Sequence, residues 1–353
     1  MSREYVLIGL LNGLLREFAH NTFRGHGLTE ISRDVALARE RNGIRIYLVW
    51  QSLLIDLRHD HEAYKIHCDI KMDLEQSSYA AIGDKMLLTQ NVPEWCTRSW
   101  DFKAFNFETT KNGFFIIRPV GRGCFGGHGI MRIDMATNTP AKMRKLRKYY
   151  SKFTRVVVSE YESNLLLFDG RKFHLRAYLL VSSCGEPSSV KWSLFGADMH
   201  DESYTIAAPR AKILTAAALW SLDDITDNDV HDSHAKSTPA GYFFPTDWIR
   251  IKHQNGIGIR DDDIPQIWNN LREMSSCLVD AVRPTIKPYA ESRAGITIFG
   301  LDVFIRDDMR PVLIEVNDNV GYNTPICANY ERMQRDYFEW VWNEGIAKIN
   351  VVN

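Results

Sequence analysis

Apolar positions in this chain form many short runs rather than one sustained period. Runs at 44–49, 114–117, 130–133 and 156–159 read as strands, and 172–181 (KFHLRAYLLV) alternates as one. Helical spacing covers 264–282 and the aromatic-rich 330–342, and the Ala-rich 207–221 also reads as helix. A short helix is expected over 86–88, after Asp84-Lys85 and before Val92-Pro93, since the residue ahead of a proline is steered out of helical conformation. The start, 6–15, is apolar but broken by Asn12 and Gly13, which suits a core element and lacks a signal-peptide cleavage site. Segment 165–167 leads into the turn Asp169-Gly170, 186–189 reads as a loop, and 223–246 as an irregular surface excursion. With no internal repeat and several hairpins, the pattern predicts a mixed α+β fold rather than a doubly wound parallel sheet.

One hairpin carries charge where charge is costly. Apolar runs at 296–305 and 312–316 flank the polar connection 306–311. With the turn centred on Asp308–Met309, Asp302 faces Glu315 and Phe304 faces Leu313, and Leu313, Glu315 and Asn317 share a face with Asp302. Two carboxylates directly across a ladder repel each other. A divalent cation removes the conflict, and two carboxylates with an amide oxygen form a hard set suited to Mg²⁺ with phosphate completing the shell. The alternative is separate, solvated carboxylates paired with Arg306 or Arg310.

Three further stretches carry candidate chemistry. The loop 120–130, VGRGCFGGHGI, places five glycines between two strands, and Arg118 stands just before it. Glycine lets backbone approach a phosphate, although the spacing fits neither GxxxxGK[ST] nor a GxGxxG helix start, and a plain flexible turn remains the competing reading. Lys172, His174 and Arg176 alternate along one strand, so all three project from one face and suit a polyphosphate. Segment 141–155 holds seven Lys or Arg and no acid, interleaved with Tyr149, Tyr150 and Phe153. Such runs are usually a solvated helix face, yet this one marks a local positive patch. His231, Asp232 and His234 are read as solvated loop residues rather than a transition-metal site.

Bulk composition narrows the setting. The 353 residues carry a net charge of −1, which argues against whole-molecule steering onto nucleic acid. The six cysteines form no CxxC pair, so neither a zinc site nor a disulfide framework is expected, and a reducing, cytoplasmic compartment is. No uncharged apolar run is long enough to cross a bilayer, so no membrane partner is expected.

Taken together, FFIIRPVGRGCFGGHGI, VVVSEYESNLLLFDGRKFHLRAYLLV and FGLDVFIRDDMRPVLIEVN resemble the tubulin–tyrosine ligase family, within the ATP-grasp ligases. The resemblance runs from about Asp84 to Asn323, in order, and is loose between Ser182 and Ile296. It implies an ATP-grasp fold, α+β, with a nucleotide cleft between two antiparallel sheets and a smaller N-terminal α/β subdomain. The implied divisions are 1–90, then a central 91–159 with the glycine loop and basic segment, then 160–353 with the metal hairpin. It implies ATP and Mg²⁺ as cofactors, and an amino acid joined to a protein carboxylate through an acyl-phosphate. Asp302, Glu315 and Asn317 match the family's magnesium ligands. Lys172 and Arg176 match its phosphate-contacting pair; these two with Glu315 are the expected catalytic set. Arg118, Gly126, Gly127, Gly129 and His174 line the expected nucleotide site. Ser159, Glu160 and Tyr161 match the hinge whose backbone pairs with adenine, Leu313 would pack beneath the ring, and Asp84-Lys85 resembles the family's entry into the central subdomain.

This chain departs from the family at several positions. Arg118 stands for a lysine, His174 for the aspartate of KFDLR, and His234 for an asparagine; the cation ahead of that last segment is Arg210 or Lys212. The expected partners are a free amino acid and an acidic protein tail, tubulin's among the candidates, docked on the basic run in preference to nucleic acid. A monomer, cytoplasmic and associated with the cytoskeleton, is expected. Two other readings stay open: a nucleotide-binding protein of the same fold without turnover, and an ATP-grasp ligase acting on a small-molecule acid.

Overall fold

The computed structural model describes residues 3–8, 13–41, 46–51, 66–120, 130–168, 171–195, 210–213, 242–243, 251–317 and 336–349. The N-terminal part alternates β1 (Arg3–Ile8), α1 (Gly13–Gly25), β2 (Leu28–Glu30), α2 (Arg33–Arg41), β3 (Ile46–Gln51) and β4 (Cys68–Lys71). Its strands pair in parallel in the order β2-β1-β3-β4. The expected single apolar element at 6–15 thus resolves into a strand and a helix. Helices α3 (Gln76–Gly83) and α4 (Lys85–Asn91) follow. Asp84 caps α4 by accepting the Met86 and Leu87 amides, and the helix stops before Pro93.

A four-stranded antiparallel sheet comes next, built from β5 (Ser99–Asp101), β6 (Phe114–Pro119), β7 (Met131–Asp134) and β8 (Val156–Glu160) in the order β5-β8-β6-β7. Between β7 and β8 the basic segment forms α5 (Pro140–Tyr150), started by the Thr139 cap and Pro140. Leu146 and Tyr150 bury against Ile117 and Val158 of the sheet, leaving Arg144, Lys145, Arg147 and Lys148 exposed.

The remaining strands are β9 (Leu167–Phe168), β10 (Arg171–Ser183), β11 (Lys191–Leu194), β12 (Arg210–Ile213), β13 (Tyr242–Phe243), β14 (Ile251–Lys252), β15 (Ser292–Ile305) and β16 (Pro311–Asn317). They join the N-terminal strands in one twelve-stranded sheet, because β15 pairs in parallel with β4 and antiparallel with β10 and β16. The larger sheet is therefore mixed, and the expectation of two antiparallel sheets holds only for the smaller one. Residues 210–213 correct the helix expected over 207–221: Arg-Ala-Lys-Ile pairs with the edge of β10, and tertiary pairing overrides local helix propensity. Within the expected irregular excursion, Tyr242–Phe243 pairs with β12. The rest of 207–246 lies outside the described residues.

Both faces of β10 and β15 are covered where they are apolar. Leu175, Leu179, Phe299, Leu301 and Val303 pack against Ile267, Leu271 and Leu278 of α6 (Asp263–Val282). Tyr178, Leu180, Ile296 and Ile298 meet Tyr337, Phe338, Trp340 and Trp342 of the final helical segment, 336–346, which ends as a π-helical turn. Towards the start of β10 this second face turns polar, with His174 and Asp302 replacing the apolar side chains. That change of character marks the site.

The hairpin has the expected pairing at Asp302 and Glu315, then slips. A bulge at Ile314 puts Leu313 across from Val303 and Phe304 across from Val312. Leu313 consequently leaves the Asp302 face and is buried with Val303 and Trp95, which corrects the expectation that it shares a face with Asp302 and Glu315. The turn is held by the Arg306 and Arg310 backbones, with Met309 at φ 65 and its carbonyl accepting the Asn270 amide.

Candidate functional site

Asp302 on β15 and Glu315 on β16 stand directly opposite, and Asn317 follows across from Gly300. The Asn317 Nδ2 donates to Asp302 Oδ2 at 3.1 Å and to Glu315 Oε1 at 3.3 Å. One amide group thus bridges two carboxylates that would otherwise repel each other. Rotating that amide would present Oδ1 instead, giving three oxygen donors at one point, a fit for a hard divalent cation. Among the described residues no three His, Cys, Asp or Glu gather as a metal site, so such a cation would complete its shell from phosphate and water. His174, 8% exposed, places Nε2 at 3.7 Å from Asp302 Oδ1.

Two cations from other elements converge on Glu315. Lys85, at the first position of α4, sets Nζ 2.6 Å from Glu315 Oε2. Arg118, from β6 of the small sheet, attracts Glu315 electrostatically. Burial pushes the Glu315 carboxyl up, but the Lys85 ammonium, the hydrogen bond with Asp302 and the Arg118 charge outweigh it and hold the group well below the usual carboxylate range. Burial lowers the Arg118 guanidinium, opposed by Glu315, and its Nε is a buried donor without a hydrogen-bond partner among the described residues. An orphaned, desolvated donor beside a carboxylate pair fits an incoming anion.

Lys85 was not among the site residues expected from sequence, although one signal was present. A lysine in the first turn of a helix faces the positive end of the dipole, which disfavours it unless an anion lies nearby. Its neighbour Asp84 is also engaged: Arg155 Nη1 and Nη2 reach its two oxygens at 2.6 and 3.2 Å. Burial raises the Asp84 carboxyl, but Arg155 and the capping amides more than offset this and lower it.

Ser159 is buried, its hydroxyl 2.8 Å from that of Ser99. The Glu160 amide donates to Arg98 O and the Tyr161 amide to Phe114 O, so both are committed to the small sheet. On β10, Arg176 lies directly across the ladder from Asp302, and Lys172 pairs with Leu167. Gly126, Gly127, Gly129, His231 and His234 lie outside the described residues.

Residues 113–190 match the tubulin-tyrosine ligase family. Human tubulin polyglutamylase TTLL11 is 29% identical over 216 residues, 58% of this chain and 28% of that protein. The mouse protein of that name is 27% identical, covering 63% of this chain and 32% of the relative. Human tubulin polyglutamylase TTLL7 is 22% identical, covering 63% and 24%. These matches support a divergent relationship to the tubulin–tyrosine ligase family. That family's fold is ATP-grasp-like, and the mixed α+β architecture agrees with it. The family match spans Arg118, Ser159, Glu160, Tyr161, Lys172, His174 and Arg176, and stops short of the β15–β16 hairpin. The chain matches about a quarter to a third of the length of these relatives. Among the described residues no helix is long and apolar enough to cross a membrane.

Proposed function

We propose that this relative of the tubulin–tyrosine ligase family is an ATP- and Mg²⁺-dependent ligase. It would join the amine of a free amino acid to a carboxylate of an acidic protein tail, tubulin's among the candidates, which suits a cytoskeleton-associated, cytoplasmic enzyme. The observation that carries this reading is the Asp302–Glu315–Asn317 set with Lys85 and Arg118 converging on it. Relatives that carry the name tubulin polyglutamylase favour the same chemistry.

Asp302, Glu315 and Asn317 would hold the magnesium ion, which when bound neutralises charge on the terminal phosphates. Arg118 would direct its orphaned Nε at the triphosphate, with Lys172 and Arg176 supplying further charge from β10. The glycines Gly126, Gly127 and Gly129 would cover the phosphates, and Ser159, Glu160, Tyr161 and the segment after them would receive the base between the two sheets. In the reaction an acceptor carboxylate oxygen bonds to the γ-phosphorus while the bond to the β–γ bridging oxygen breaks, releasing ADP. The amine nitrogen then bonds to the acyl carbon, inorganic phosphate leaves, and the amine loses a proton. The protein contributes position and electrostatics, so a nucleophilic side chain is not required.

A second reading, nucleotide binding without turnover, is favoured by His174. An imidazole beside Asp302 replaces a carboxylate and removes negative charge from the cation's surroundings. The deciding experiment is Mg²⁺-dependent ADP release with pooled amino acids, with and without tubulin or acidic peptides. Release that needs both an amino acid and an acceptor supports the ligase. ATP binding without release under any acceptor supports the second reading.

A further inference from the structure

The chain passes between the two sheets twice, through α3 and α4 from β4 to β5, and by a short crossover after β8. The Tyr161 amide still belongs to the small sheet, donating to Phe114 O at 2.8 Å. Three residues later the chain belongs to the large sheet: Asp307 N donates to Asn164 O, Leu165 bridges Arg306, and Leu166 N donates to Ile305 O. Glu162 and Ser163 are the passage between them.

That passage is gripped by the hairpin that carries the carboxylate pair. Arg306 Nε and Nη2 both reach Glu162 Oε2, at 2.8 and 2.7 Å, and Glu162 Oε1 accepts the Asn164 amide at 3.3 Å. Both side chains are mostly buried, 14% exposed for Glu162 and 27% for Arg306. The Arg306 backbone also closes the β15–β16 turn, through Arg310 O and the Met309 amide. From the other side the Gln254 side-chain amide donates to the Ser163 and Leu165 carbonyls. A planar guanidinium held at two points fixes orientation as well as distance, which a lone ammonium would not.

We propose that Glu162 and Arg306 form a lock that sets the angle between the two sheets. The lock is a positioning device: it places Arg118, on the small sheet, relative to Glu315, on the large one. Its consequence for nucleotide affinity rests on the functional reading above, but the lock itself does not.

The test measures the distance between spin labels at Lys145 on α5 and Glu273 on α6, both exposed. Attachment through introduced ketone side chains leaves the native cysteines alone. Nucleotide-free wild-type protein is expected to give one narrow distance population. Arg306→Gln and the isosteric Glu162→Gln are expected to add a second population, and Arg306→Lys to fall between. In parallel, ATP affinity in Mg²⁺ should weaken about tenfold in both Gln variants, the loss of one charge-assisted contact, while the ligand-free thermal midpoint stays near wild type. Unchanged distance distributions in both Gln variants overturn the lock, as does a loss of affinity that merely follows a loss of folding. If wild-type protein binds no ATP, the functional reading fails while the distance measurement still decides the lock.

Discussion

Lys85 Nζ lies 2.6 Å from Glu315 Oε2, so the first residue of α4 neutralises a carboxylate that the β-ladder sets against Asp302. A divalent cation at the same carboxylates would do the same work. Replacing Lys85 by Met is therefore expected to lower the ligand-free thermal midpoint by about 2 °C, the scale of a half-buried ion pair in a chain of this size. Millimolar Mg²⁺ should then raise the midpoint of the variant more than that of wild type. Scanning calorimetry with and without Mg²⁺ decides this, and equal shifts in both proteins would remove Glu315 from the metal set.

The depressed Glu315 and Asp84 carboxyls make stability depend on pH in a defined direction. Their ordinary values are 4.5 and 3.8, and both are lower in the folded protein. The unfolded chain binds these protons first, so the stabilisation is fully present above the ordinary values. It is lost as pH falls through the lower folded values. Urea midpoints should decline from about pH 5 to about pH 2, and less steeply in Glu315→Gln, which has no proton to gain. Parallel curves for the two proteins would contradict the charge assignment.

The hairpin was legible because two acids interrupt runs otherwise fit for a buried strand, and the turn centre fixed Asp302 against Glu315. The slip beyond it was not legible: nothing local in Leu313-Ile314-Glu315 marks Ile314 as the bulged residue. Short strands such as 210–213 exist only because β10 offers an edge, so their own sequence carries little signal. Glu162 and Arg306 lie 144 residues apart, and their pairing depends on the joint that the fold creates. Periodicity reports which face a side chain takes; it does not report which distant side chain meets it there.

His174 tests how far the departure from the family motif reaches. At 3.7 Å from Asp302 Oδ1, its imidazole adds no negative charge to the carboxylate pair. His174→Asp should lower the Mg²⁺ concentration for half-maximal nucleotide binding by about tenfold, because affinity for a hard cation follows the charge of its ligands. Calorimetric titration of ATP across a Mg²⁺ series reads this directly. An unchanged or weaker Mg²⁺ requirement would mean that His174 lies outside the cation's influence.

The exposed cations of α5 test the acceptor. Lys145, Arg147 and Lys148 project from a helix whose buried residues, Leu146 and Tyr150, anchor it to the small sheet, so changing them leaves the packing intact. If an acidic tail docks there, Lys145→Gln, Arg147→Gln and Lys148→Gln together should raise the acceptor KM about tenfold, a few tenths of a kcal/mol for each solvent-exposed charge. The kcat should hold, because Leu146 and Tyr150, which seat the helix on the small sheet, are unchanged. Raising the salt concentration should weaken wild-type acceptor binding and barely affect the triple variant, since screening acts on the charges that were removed. An unchanged KM in the triple variant would shift the assignment to a small-molecule acid, whose recognition needs no extended basic surface.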